Sequence, residues 1–81
     1  MRLPRDLDAA TLIKALAHQG YAVVRQTGSH IRLQHEGPPR NAITVPNHAQ
    51  LRLGTLAAVL AEVAKHQGLS REQLLERLFG G

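Results

Sequence analysis

The apolar residues of this chain change their spacing twice, and that change limits the fold more than any other feature. Between Asp8 and His18, Leu12, Ile13, Leu16 and Ala17 recur at the interval of one helix face. Asp8 is the expected N-cap, and Gly20 stands where a left-handed residue closes a helix. From Tyr21 the interval drops to two. Tyr21–Gln26 is short and β-branched, Thr27-Gly28 is a turn, and Ser29–His35 alternates strictly. In that second strand Ile31 and Leu33 face one side, while His30, Arg32 and Gln34 face the other. Pro38 and Pro39 rule out a strand in the loop from Glu36 to Arg40, because each removes a backbone donor. A third strand is expected at Ala42–Val45, with Ile43 and Val45 on the core side and Pro46 as its end.

Helical spacing then returns. Asn47–Leu53 is expected to be a loop, and Thr55 the N-cap of a helix carrying Leu56, Val59, Leu60 and Val63 on one stripe up to Gly68. Ser70-Arg71-Glu72-Gln73 is a capping box with Leu69 able to staple onto Leu74, and the last helix, Arg71–Leu78, buries Leu74, Leu75 and Leu78. The order α-β-β-β-α plus a short C-terminal helix is an α+β fold. Its three-stranded antiparallel sheet has helices packed on one face. The other face stays open and carries His30, Arg32 and Gln34.

A chain of 81 residues makes a single domain, 1–81, with one thin core. That core must be aliphatic, since Tyr21 and Phe79 are the only aromatic residues. The absence of cysteine excludes disulfides and thiolate metal sites. No run nears the length of a membrane span, and Asp6 and Asp8 break any signal-peptide pattern, so a cytoplasmic location is expected. Charge is more informative. Between Gly20 and Thr55, Arg25, Arg32, Arg40 and Arg52 face a single acid, Glu36. From Leu56 onward Lys65, Arg71 and Arg77 balance Glu62, Glu72 and Glu76. A basic middle between near-neutral helices points to an anionic partner.

Five histidines are candidates for chemistry. His18 and His66 fall in last helical turns, where a cation suits the dipole. His35, at a strand end, is expected to be a solvated edge residue. His48 follows Pro46 in the basic middle, and its role is open. His30 is different: a tight turn presents it on the open face, Arg32 follows on the same side, and Arg25 or Arg52 can approach from neighbouring segments. Metal-free RNA cleavage needs a proton acceptor for the 2′-hydroxyl, a proton donor for the leaving oxygen and cations for the phosphate. Imidazole serves the proton roles near neutrality, and guanidinium groups match phosphate oxygens two at a time. There is no His-Glu-x-x-His, the histidines are spread over different elements, and no metal site or cofactor is expected.

The run from Gly20 through Gly28-Ser29-His30 resembles the signature of the HicA (YcfA-like) messenger-RNA interferase toxins. Val45-Pro46-Asn47-His48 is similar to that family's Val-Pro-x-His, and Leu53-Gly54-Thr55-Leu56 to its Gly-Thr-Leu helix start. Gly68-Leu69-Ser70 and the helix after it resemble its C-terminal end, so the likeness spans about residue 9 to residue 78. The resemblance implies a fold like that of double-stranded-RNA-binding domains. It also implies metal-independent endoribonuclease activity on mRNA, restraint by a HicB-type antitoxin, and His30 as the catalytic residue. Gly28 and Ser29 would form the presenting turn, and His48 would take the place of the family's second recurrent histidine. With the arginines read from their placement near His30, RNA is expected to meet Arg25, Gly28, Ser29, Arg32, His48 and Arg52. Two departures stand out. Thr27 occupies a position that is usually basic in the family, and the Thr55–Gln67 helix is longer by about one turn. A non-catalytic RNA-binding module on the same fold is the alternative, and a protein-docking domain with a basic face is a third reading.

Overall fold

The computed structural model describes residues 3–80. Helix α1 spans Ala9–Ala17, strand β1 Tyr21–Thr27, β2 His30–His35, β3 Asn41–Pro46, helix α2 Leu53–Gln67 and α3 Arg71–Phe79. The strands form one antiparallel sheet in the order β1-β2-β3. All three helices lie on one side of it, so the α+β architecture is the one its periodicities require.

The caps explain where the helices begin. The Asp8 carboxylate accepts from the Thr11 amide at 2.8 Å, and hydrogen bonding from the Thr11 hydroxyl first and this amide second holds that carboxyl below its usual pKa. Ser70 and Gln73 form the reciprocal capping box of α3. At α2 the expected cap is wrong: Arg52, not Thr55, is the N-cap, and no side chain caps it. Leu51, 4% exposed, is anchored in the core and its amide donates to the Leu7 carbonyl, so the chain is already aimed for helix at Leu53. Thr55 lies inside the first turn.

The core joins Leu12 and Leu16 of α1, Ile31, Leu33, Ile43 and Val45 of the sheet, Leu56, Leu60 and Val63 of α2, and Leu74 and Leu75 of α3. Leu78, expected to be buried, only packs against its edge. Emptying such a site, for example Leu33→Ala, costs about 2–5 kcal/mol.

Strand β1 is irregular. Tyr21 and Val23 pair with His35 and Leu33, but the register slips between Val23 and Arg25, leaving Val24 as a bulge. By strict alternation Arg25 would share the covered face with Tyr21 and Val23. The bulge turns it over, so that Arg25 pairs with Arg32 and Thr27 with His30. A guanidinium that would otherwise stand on the helix-bearing side is placed on the open face, beside Arg32.

Candidate functional site

The β1–β2 connection is a two-residue turn, Gly28-Ser29, one residue later than the sequence suggests. Gly28 has φ +56°, the conformation required of the first turn residue in such a hairpin, and no Cβ is there to oppose it. The Ser29 carbonyl accepts from the Asn47 amide at 2.6 Å, tying the turn to the chain that leaves β3. His30 therefore starts β2 at a place fixed on both sides, with Thr27 across on β1 and Pro46 across on β3.

The next row on the same face is Arg25, Arg32 and Thr44. Residues two apart along a strand stand roughly 6–7 Å from one another, so the rows are adjacent. Arg25, Thr27, His30, Arg32 and Thr44 together line a cavity of about 240 Å³. Arg32 Nη1 donates to Thr44 Oγ1 at 3.1 Å, which steadies that guanidinium. Arg25 and Arg32 sit directly opposite each other with no carboxylate between them. Among the described residues the one ion pair joins Arg40 to Glu36, in the exposed loop after β2. Like charges in cross-strand register repel, and an anion between them removes the repulsion. The His30 ring takes part in none of the side-chain hydrogen bonds among the described residues.

The remaining sequence candidates are placed elsewhere. His48 is exposed in the loop after β3, and its backbone carbonyl accepts from the Ala9 amide. Arg52 lines a different cavity, with Arg5, Asp6 and Gln50. Neither borders the His30 cavity. Gly28 and Ser29 flank His30 in the turn without lining it.

Two histidines are misplaced by the sequence reading. His35 is no solvated edge residue, and His66 is more than a helix-end cation. Their rings meet edge to face with centroids 4.6 Å apart, and Tyr21 closes the group at 5.2 Å from His35. The Gly37 amide donates to His35 Nδ1 at 2.9 Å. His66 Nε2 donates to the Pro39 carbonyl at 2.6 Å, and its Nδ1 accepts from Gln67 Nε2 at 2.9 Å, an assignment of protons fixed by these partners. The Tyr21 hydroxyl donates to Asn41 Oδ1 at 2.6 Å, and Asn41 Nδ2 donates to Glu62 Oε1. Burial, with the Glu62 carboxylate adding to it, pushes the Tyr21 hydroxyl above its usual pKa, against a lowering hydrogen bond from Gln67. Gly20 completes the packing. With φ +92° it tolerates no L side chain easily, and a Cβ there would lie 2.7 Å from His35 Nε2. This end of the sheet is closed.

No group of three or more His, Cys, Asp or Glu side chains among the described residues could hold a metal ion. No helix of the described residues is long and apolar enough to cross a membrane. No curated protein and no solved structure matches the chain. A family model described as HicA toxin of bacterial toxin-antitoxin matches residues 9–68. The match runs from the start of α1 to the glycine that ends α2, so the resemblance seen at Leu69, Ser70 and α3 lies beyond it. The chain belongs to the HicA toxin family, the toxin half of a toxin–antitoxin pair, and a cognate antitoxin is implied with it.

Proposed function

We propose that this toxin is a metal-independent endoribonuclease that cuts mRNA in the cytoplasm with His30 as its general acid/base. The observation that carries this reading is the cross-strand pair Arg25–Arg32 beside an uncommitted imidazole, around one cavity on the open face. A scissile phosphate between the two guanidinium groups would relieve their repulsion and gain charge-assisted hydrogen bonds that strengthen as negative charge builds. His30 would take the proton of the neighbouring 2′-hydroxyl as that oxygen attacks phosphorus. The bond to the 5′-oxygen then breaks, and the leaving oxygen takes a proton from the imidazolium or from water. The products would be a 2′,3′-cyclic phosphate and a free 5′-hydroxyl. Proton transfer of this kind contributes about 10²- to 10⁴-fold.

Gly28 and Ser29 serve by presenting His30, and His48 stands on the loop that the RNA would pass next. A HicB-type antitoxin would silence the toxin by covering His30 and offering carboxylates to the arginines, with opposite charge speeding the encounter. Thr27 lines the cavity where the family pattern is basic. That lower charge is the feature favouring the second reading, an RNA-binding module without cleavage.

One experiment separates the two readings. Purified toxin incubated with RNA and excess chelator should yield cyclic-phosphate ends, and RNA carrying a single 2′-deoxy substitution at the cut position should survive there. Binding without products would leave the second reading standing.

A further inference from the structure

The largest of the cavities described lies off the sheet face. Arg5, Asp6, Gln50, Leu51, Arg52 and Leu53 line it, and its volume is about 390 Å³. Two chain segments build its walls, and the backbone fixes both: Leu51 donates to the Leu7 carbonyl at 2.8 Å and Ala9 to the His48 carbonyl at 3.0 Å. Asp6 Oδ1 accepts from Gln50 Nε2 at 2.6 Å, and this carboxylate stays in the lining as its one acid. Arg5 and Arg52 are exposed and, among the described residues, form no ion pair. The cavity thus has anchored walls and two guanidinium groups against one carboxylate, a lining that is positive on balance.

Its position relative to His30 matters most. Pro46 pairs with His30 across β2 and β3, and Asn47 is bonded to the Ser29 carbonyl. The chain reaches Arg52 only six residues after Pro46, which bounds the separation along that path at about 20 Å. Two basic cavities are therefore joined by one short, anchored loop carrying His48.

We propose that the Arg5–Arg52 cavity is a second phosphate site, which grips the backbone of the same RNA strand a few nucleotides from the bond held at His30. The inference rests on the reading that RNA is the substrate. A guanidinium fork accepts carboxylate as readily as phosphate, so an acidic protein is the competing occupant. The arrangement favours the polymer. A strand with a negative charge at every repeat reaches both cavities without special register, whereas a protein must supply carboxylates at two matched points.

The test compares the parent, Arg5→Ala/Arg52→Ala and a charge control, Arg71→Ala/Arg77→Ala, in binding to labelled single-stranded RNA of roughly 4 and roughly 16 nucleotides. Thermal midpoints are measured alongside. The Arg5/Arg52 variant should bind the longer RNA about tenfold more weakly, with a salt dependence shallower by about one to two ions. Its preference for the longer strand should largely disappear. The charge control should keep that preference. Unchanged binding of the longer RNA by the Arg5/Arg52 variant overturns the proposal, as does an equal loss in the charge control. The cognate antitoxin is titrated against the same variants, and a loss confined to antitoxin binding also overturns the proposal and assigns the cavity to the protein partner. A parent that binds no RNA sinks the ribonuclease reading as well, whereas a parent that binds and cuts beside an unaffected variant removes the second site alone.

Discussion

Strand β2 carries a histidine at each end, and the two stand in opposite surroundings. His35, on the covered face, has its Nδ1 satisfied by the Gly37 amide, its Nε2 edge against Gly20, and Tyr21 and His66 against its ring. His30, five residues earlier, faces solvent, and the two arginines in the adjacent row form no ion pair among the described residues. The same side chain is scaffold at one end and available for proton transfer at the other. What separates them is the parity of their positions along the strand and the partners each parity meets. A count of histidines says nothing about reactivity until each ring nitrogen has been assigned an occupant.

From that contrast, the largest effect outside His30 itself should come from the arginines. Arg25→Ala/Arg32→Ala should lower cleavage by on the order of 10²- to 10³-fold, as loss of transition-state charge stabilisation does. Its stability should be unchanged or a few tenths of a kcal/mol higher, because a cross-strand repulsion is removed. A denaturant titration beside a cleavage assay checks both parts. Loss of stability together with activity would mean that the pair is structural.

The other end should behave in reverse. His35→Ala should cost about 1–3 kcal/mol in chemical denaturation, since it strands the Gly37 amide and opens the contacts with Tyr21 and His66. Cleavage per folded molecule should stay at the parent's rate. A folded His35→Ala protein that no longer cuts RNA would break the division between the two ends.

The smallest effect concerns Tyr21. Tyr21→Phe should lose about 1 kcal/mol with its hydrogen bond to Asn41. It should also change the alkaline limb of the stability curve. The buried hydroxyl holds its proton more tightly folded than unfolded, so above a pH of about 10 the unfolded chain has lost a proton that the native chain keeps. Stability of the parent therefore falls as pH rises through that range, and the phenylalanine variant should lack this component. Urea midpoints measured across the alkaline range decide the matter.

The fold was legible because each element has its own apolar period, and Asp8, Gly68 and Ser70 mark helix ends by local chemistry alone. His30 and Arg32 were legible for the same reason: alternation with Ile31 and Leu33 sends them outward. That alternation also places His35 inward, but its partner His66 is on a helix far along the chain, and nothing local announces the meeting. Arg25 was harder. Its facing depends on a bulge, which is a property of pairing between two strands and has no local signature in Val23-Val24. Arg52 belongs to a loop whose course is set by the anchoring of Leu51, and spacing carries no information about which cavity such a residue enters.

The most direct measurement is the single-turnover rate of RNA cleavage by purified His30→Ala, taken with its thermal midpoint. The rate should fall at least about 10²-fold, RNA binding should stay close to that of the parent, and the midpoint should not move, because the His30 ring makes no side-chain hydrogen bond among the described residues. Cleavage at the parent's rate by that variant would contradict a catalytic His30.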